Sequence, residues 1–236
     1  MEFDRRSAAA LALACVLAGP GTNVSAAGPT QSTPRSVSEI RCDTGNVVVR
    51  SPVRADARIA CTGSRAAIVF LASHGLDVES LITIEIVDTL PEVTEPAAVG
   101  CYLDTEKRVM ILGYAEFKRR KTWLGLPANR SLYRSLVAHE VAHSIAACNF
   151  KPAQPVIAAH EYVAYVTTFA TMVPTQRDLV LARYPGDGFD SEEEMSTTIY
   201  LFDPTRFGVE SYRHFLKPAN GRDYLRSVLA GRVLLE

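Results

Sequence analysis

Apolar residues recur along this chain with two different periods, and the change from one to the other divides it. In the first half, short β-branched runs predict strands, one over 46–50 and one over Leu81-Ile82-Thr83-Ile84-Glu85-Ile86-Val87, bounded by Asp88 and Pro91. Cys101-Tyr102-Leu103 and Arg108-Val109-Met110-Ile111-Leu112 flank Asp104-Thr105-Glu106-Lys107, the pattern of a β-hairpin. A short buried helix is predicted over 64–74, closed by Gly75. From Pro127 onwards the period is helical. Leu132, Leu136, Val137, Val141 and Ile145 return at three- and four-residue spacing, Asn129 supplies a cap, and Pro152 and Pro155 end the run near Asn149. A second helix follows from Val156 to Val173 and is stopped by Pro174. Further helices are predicted over 175–183, 191–201, 205–216 and 221–231, with most of their aromatic residues in the core. Strands first and helices afterwards give an α+β fold with a mainly helical C-terminal half.

The first long helix carries His139-Glu140-Val141-Ala142-His143. Residues four apart on a helix share a face about one turn apart, so both imidazoles can reach one ion. Glu140 lies about 100° round the axis, where a carboxylate faces the water of a zinc site and can pass its proton to a leaving amine. The second helix is apolar on nearly every side, and its only ionisable residues are His160 and Glu161. A buried, unpaired carboxylate costs on the order of several kcal/mol unless it binds a metal or finds a partner. His143 lies six residues before Asn149 and Glu161 six residues after Pro155. At about 1.5 Å per residue both stand about 9 Å from the turn, so an antiparallel helix pair sets them level. Glu161 is therefore the expected third ligand, with a salt bridge to Arg134 or Arg177 as its alternative role. His160 is the rival ligand, or a donor to a ligating group. Two imidazoles and one carboxylate leave a fourth position open, as catalytic zinc sites do.

His-Glu-Val-Ala-His followed by Glu161, within His160-Glu161-Tyr162-Val163-Ala164-Tyr165, resembles the gluzincin branch of the zincin metallopeptidases. In arrangement the resemblance covers roughly Leu81 to Val173. It implies His139, His143 and Glu161 as ligands of one Zn2+ per chain, Glu140 as general base, and a peptide or protein as substrate. It also implies a small mixed β-sheet beside the HExxH active-site helix, with an edge strand that pairs with extended substrate; 108–113 is the expected edge. The longer metzincin pattern is absent, since Ser144-Ile145-Ala146 follow His143 with no glycine at the third position. A donor to the oxyanion is expected among Tyr165, Tyr200, Tyr212 and His214, and Tyr165, one turn beyond Glu161, comes first.

Charge and composition narrow the partners. The formal net charge is −1, and the one short basic cluster, Lys118-Arg119-Arg120-Lys121, is the pattern of a solvated loop beside Trp123, not of a nucleic-acid surface. At the N-terminus, Arg5 and Arg6 precede an apolar stretch too short to span a bilayer, and small residues around Ser25-Ala26 suit signal cleavage. The organisation expected is a signal peptide over 1–26, a flexible linker over 27–40 and one zincin-like domain over 41–236, secreted or periplasmic, with no transmembrane helix in the mature chain. Lipid anchoring at Cys15 is the alternative. Export leaves Cys42, Cys61, Cys101 and Cys148 in an oxidising compartment. The favoured pairing is Cys42–Cys61 and Cys101–Cys148, the latter worth about 4 kcal/mol on the chain-entropy model. Two other roles remain open at this level: a zinc-binding module without turnover, and a metal-free structural domain.

Overall fold

Five short strands build the main sheet of the computed structural model, which describes residues 36–92, 94 and 97–233. They are β1 (Ser38–Arg41), β2 (Val47–Ser51), β3 (Ile82–Val87), β4 (Gly100–Leu103) and β5 (Arg108–Leu112), in the spatial order β1-β2-β3-β5-β4. The outer pairs are antiparallel and the inner pairs, β2 with β3 and β3 with β5, are parallel, so the sheet is mixed. The parallel step from β2 to β3 requires a crossover, and α1 (Arg54–Ser73) supplies it. The expected signal peptide and Cys15 lie outside the described residues. The expected linker does not run to residue 40, because β1 already pairs with β2 from Ser38.

Strand alternation places the core. Val47 and Val49, Ile82, Ile84 and Ile86, and Val109 and Ile111 point to the helical side and are buried. The predicted hairpin forms between β4 and β5, its turn made by a 3-10 segment at Asp104–Glu106 and a left-handed Lys107. Its placement differs from expectation. β5, the expected edge, lies inside the sheet, and β4 is the edge on that side, with β1 at the other. The reason is that Val109, Met110, Ile111 and Leu112 are all buried, the continuous apolar run that a strand covered on both faces needs. Arg108 then bridges to Glu85 on β3, which fixes the register on the inner side.

The same alternation overturns one disulfide. Cys42–Cys61 is formed and ties the end of β1 to α1. Cys101 and Cys148 remain thiols. On β4 the side chain of Tyr102 faces the helices, so that of Cys101 faces the other way, into a small cluster with Leu103 and Met110. A bridge to Cys148, near the end of the central helix, would have to cross the sheet.

Helix α1 begins well before the expected residue 64, because its buried stripe is made of Ala57, Ala60, Gly63, Ser64 and Ala67, too small to stand out in hydropathy. Between sheet and central helix come α2 (Tyr114–Arg119) and a two-stranded ribbon of β6 (Thr122–Trp123) and β7 (Leu126–Pro127). The basic cluster is exposed as expected, though Lys118 and Arg119 lie in the last turn of α2 rather than in a loop. The helical half comprises α3 (Arg130–Asn149), α4 (Ile157–Thr171), α5 (Pro174–Leu181), α6 (Thr197–Phe202), α7 (Pro204–Leu216) and α8 (Gly221–Leu229). In place of a single helix over 191–201, a 3-10 turn at Glu192–Glu194 precedes the short α6. No helix among the described residues is long and apolar enough to cross a membrane.

Candidate metal centre

The centre is built on α3, which starts where Asn129 accepts a hydrogen bond from the Leu132 amide at 3.0 Å. α3 packs against α1, α4 and the β4–β5 hairpin, so nearly every residue from Leu132 to Ala146 is buried. His139, Glu140 and His143 are polar exceptions on a helix that is otherwise core. α4 lies beside it and buries Glu161 completely, at 0% exposure.

His139, His143 and Glu161 converge. The two imidazole Nε2 atoms are 3.2 Å apart, and each lies 3.6 Å from a different carboxylate oxygen of Glu161. A four-coordinate ion with bonds of about 2.0–2.1 Å holds its donors roughly 3.3–3.4 Å apart, which is the spacing found here to within a few tenths. Neither arginine weighed as a partner for Glu161 reaches it: Arg134 donates to the Thr171 carbonyl and Arg177 pairs with Asp178. The group can hold a metal ion.

The tautomer of His139 agrees with that role. Its Nδ1 lies 3.0 Å from Thr168 Oγ1, and the Thr168 hydroxyl donates its own proton to the Ala164 carbonyl at 2.7 Å. Oγ1 must therefore accept from Nδ1–H, which leaves the lone pair of Nε2 aimed at His143 and Glu161. Burial lowers the pKa of His139 to about 3 and that of His143 well below its usual value. Both rings are thus neutral, the form that ligates.

Glu140 stands apart from the three donors and makes no hydrogen bond within the protein, although it is fully buried. Burial raises its pKa to about 8. Its neighbour is the edge strand: a Cβ on Gly100 would come within 2.7 Å of Glu140 Cγ and Oε1. Glycine at that position is what lets β4 approach the carboxylate so closely.

Two of the four candidate donors reach the centre. Tyr165 lies with its ring edge-on to His139, centroids 4.8 Å apart, and its hydroxyl is held protonated by burial and by Glu161 and Glu140. Tyr200, on α6, is buried, and burial first and then the charge of Glu161 raise its pKa well above the usual value. Tyr212 packs instead on Phe169, and His214 bonds to the Tyr162 hydroxyl. His160 is no ligand: it sits against Phe150, and its ring centroid is 6.0 Å from that of His143. Two contributors, Thr168 and Gly100, escaped the sequence reading. Thr168 stands seven residues beyond Glu161, a spacing that returns to the same helix face and could have flagged it. Gly100 opens a predicted strand, a recognised mark of close approach.

A family model matches residues 47–236, which span every strand but β1 and all the residues of the centre. The chain belongs to this family of unknown function, DUF6639. Neither curated proteins nor solved structures give a significant match.

Proposed function

We propose that this protein is a zinc-dependent hydrolase of peptide bonds, of the gluzincin type that the HEVAH segment and Glu161 resemble. The observation that carries the reading is the division of labour among four buried polar side chains. Three converge as donors, and the fourth, Glu140, neither joins them nor pairs with anything else. A carboxylate kept buried without a partner is costly, and a role in proton transfer accounts for it. His139, His143 and Glu161 would hold the metal, whose donor set of two imidazoles and one carboxylate suits zinc. When bound, zinc supplies Lewis-acid activation of water and of the substrate carbonyl.

Within this reading Glu140 takes the proton of the attacking water and delivers it to the leaving amine. Thr168 fixes the His139 tautomer. Tyr165 and Tyr200, both buried and both under the charge of Glu161 and Glu140, are the candidate oxyanion donors. Peptide would run along β4, the edge strand of the sheet beside Glu140. The cysteine pair at Cys42 and Cys61 suits an exported protein.

A second reading is favoured by one specific observation. His139, Glu140, His143 and Glu161 are each at most 1% exposed, as expected of a metal site that serves structure alone. The purified protein separates the two. For the hydrolase, one zinc per chain is retained in Glu140→Gln while cleavage of a mixed peptide library disappears, and Glu161→Gln loses both. Metal bound by the parent with no cleavage under any condition would leave the structural site.

A further inference from the structure

α7 packs on α4, and it meets the metal-bearing helix at a glycine. Gly208 is buried in the interior of α7, and its φ is not positive, so neither a helix end nor the backbone conformation asks for glycine there. After proline, glycine is the residue that a helix interior tolerates least. What the position demands is space. A Cβ on Gly208 would stand 2.2 Å from Tyr165 Cδ1, 2.6 Å from Cγ and 2.8 Å from Cε1. These are three successive ring carbons, so the ring of Tyr165, not its hydroxyl, lies against the α7 backbone. Carbon atoms in ordinary contact stand about 3.5–4.0 Å apart, so a side chain at 208 would have to displace the ring by roughly 1 Å.

We propose that Gly208 is a positioning residue: it lets α7 hold the Tyr165 ring against His139, and so sets the donor geometry of the metal centre from a helix that carries none of the donors. This rests on the metal-centre reading given above. The Tyr165 ring is 2% exposed, and its neighbours are His139 at 4.8 Å between centroids, Phe169 at 6.3 Å and Phe207 at 6.5 Å. His139 is the nearest of them, and its Nε2 is one of the three converging donors. The imidazole is itself enclosed, with His143 at 4.8 Å and Trp123 at 6.5 Å between centroids. A ring so surrounded has no free space into which it can shift by 1 Å or so, whereas metal–donor distances tolerate only about 0.2 Å. Thr168 therefore fixes which nitrogen of His139 carries the proton, and the Tyr165 ring, backed by Gly208, fixes where the imidazole stands.

The test uses the full chain loaded with cobalt(II), whose visible absorption reports the geometry of its donors. Gly208→Ala is expected to alter that spectrum and to weaken metal binding roughly 10–100-fold, the scale on which ligating histidines depend on their supports. The loss should persist in a Tyr165→Phe background, which keeps the ring, and should shrink to less than twofold in a Tyr165→Ala background, which removes it. Thermal unfolding of the metal-free protein gives a readout independent of the ion. Gly208→Ala should lower Tm in the parent and raise it in Tyr165→Ala, since alanine is the better helix former once the clash is gone. Val209→Ala, at a fully buried neighbour on α7, controls for a general loss of stability: it should lower Tm and leave the cobalt spectrum as in the parent. A parent-like spectrum and affinity in Gly208→Ala, an equal loss in the Tyr165→Ala background, or the same spectral change in Val209→Ala overturns the inference. No cobalt uptake by the parent overturns the metal-centre reading and this inference together, whereas failure of the inference alone leaves uptake by the parent intact.

Discussion

Thr168→Val is the sharpest test of the centre, because it removes one hydroxyl, with the two hydrogen bonds that it makes, and almost nothing else. Valine has nearly the shape of threonine, and position 168 is fully buried, so packing is retained while the acceptor for His139 Nδ1–H is lost. Two outcomes are then open to the ring. It can keep its proton on Nδ1, leaving a buried N–H unpaired at a cost of about 1–3 kcal/mol. Or it can move the proton to Nε2, the atom 3.2 Å from His143 Nε2 and 3.6 Å from Glu161, and so block its own lone pair. Either way, metal affinity falls, by roughly 10–100-fold on the record of such supporting hydrogen bonds, equivalent to about 1.4–2.7 kcal/mol. The Ala164 carbonyl loses its side-chain donor as well but keeps its place in the helix, so the metal-free protein should lose less stability than the loaded one. Competition against a chromophoric chelator measures the affinity, and thermal unfolding with and without zinc measures the linkage. Affinity within twofold of the parent would refute the tautomer argument, and with it the assignment of Nε2 as the ligating atom.

Other perturbations probe the surroundings. Gly100→Ala brings a Cβ within 2.7 Å of Glu140 Cγ; zinc uptake should persist, peptide cleavage should drop at least tenfold, and unfolding should show a loss of about 1–3 kcal/mol from overpacking, whereas unchanged cleavage would sever Glu140 from the reaction. Replacing Cys42 and Cys61 with serine opens a bridge of sequence separation 19 and should cost about 3 kcal/mol in urea unfolding, while Cys148→Ser, at an exposed thiol, should be nearly neutral; the opposite ranking would show that the second bridge forms after all. His214, among Tyr162, Tyr224 and Lys217, has its pKa lowered to about 4, first by burial and then by Lys217. A depressed histidine stays neutral in the native state while the unfolded chain protonates near 6.5, so stability is intact above that pH and declines as pH falls toward 4. With solvent screening allowed for, the loss should be roughly 1–2 kcal/mol, and a His214→Gln variant should flatten the urea-unfolding profile across that window.

Much of the fold was legible because its signals are local. The cap at Asn129, the stripe from Leu132 to Ile145 and the prolines after Asn149 each act within a few residues, and α3 begins and ends where they place it. The hairpin at Asp104–Lys107 was equally local. What failed was pairing. Periodicity shows that Arg108–Leu112 is a strand but not which strands flank it, and a run buried on both faces is a mark of the interior that the edge assignment overlooked. The expected Cys101–Cys148 bridge failed for a related reason: one step along a strand reverses the face, so a cysteine next to the helix-facing Tyr102 cannot also face α3.

The site divides along the same line. His139 and His143 share a face by helical spacing alone, and Glu161 follows from the cost of burying a lone carboxylate on an apolar helix; these three do converge. The same energetic reasoning stops short at the hydroxyls. Tyr165 shares a helix with Glu161, so spacing could nominate it, and its ring does meet His139. Tyr200 comes from a six-residue helix whose other apolar side chains point outward. Nothing in a segment that short, flanked by Ser196 and Asp203, separates an inward tyrosine from an outward phenylalanine; the distinction is made by α4 and α7, against which only one of the two can turn.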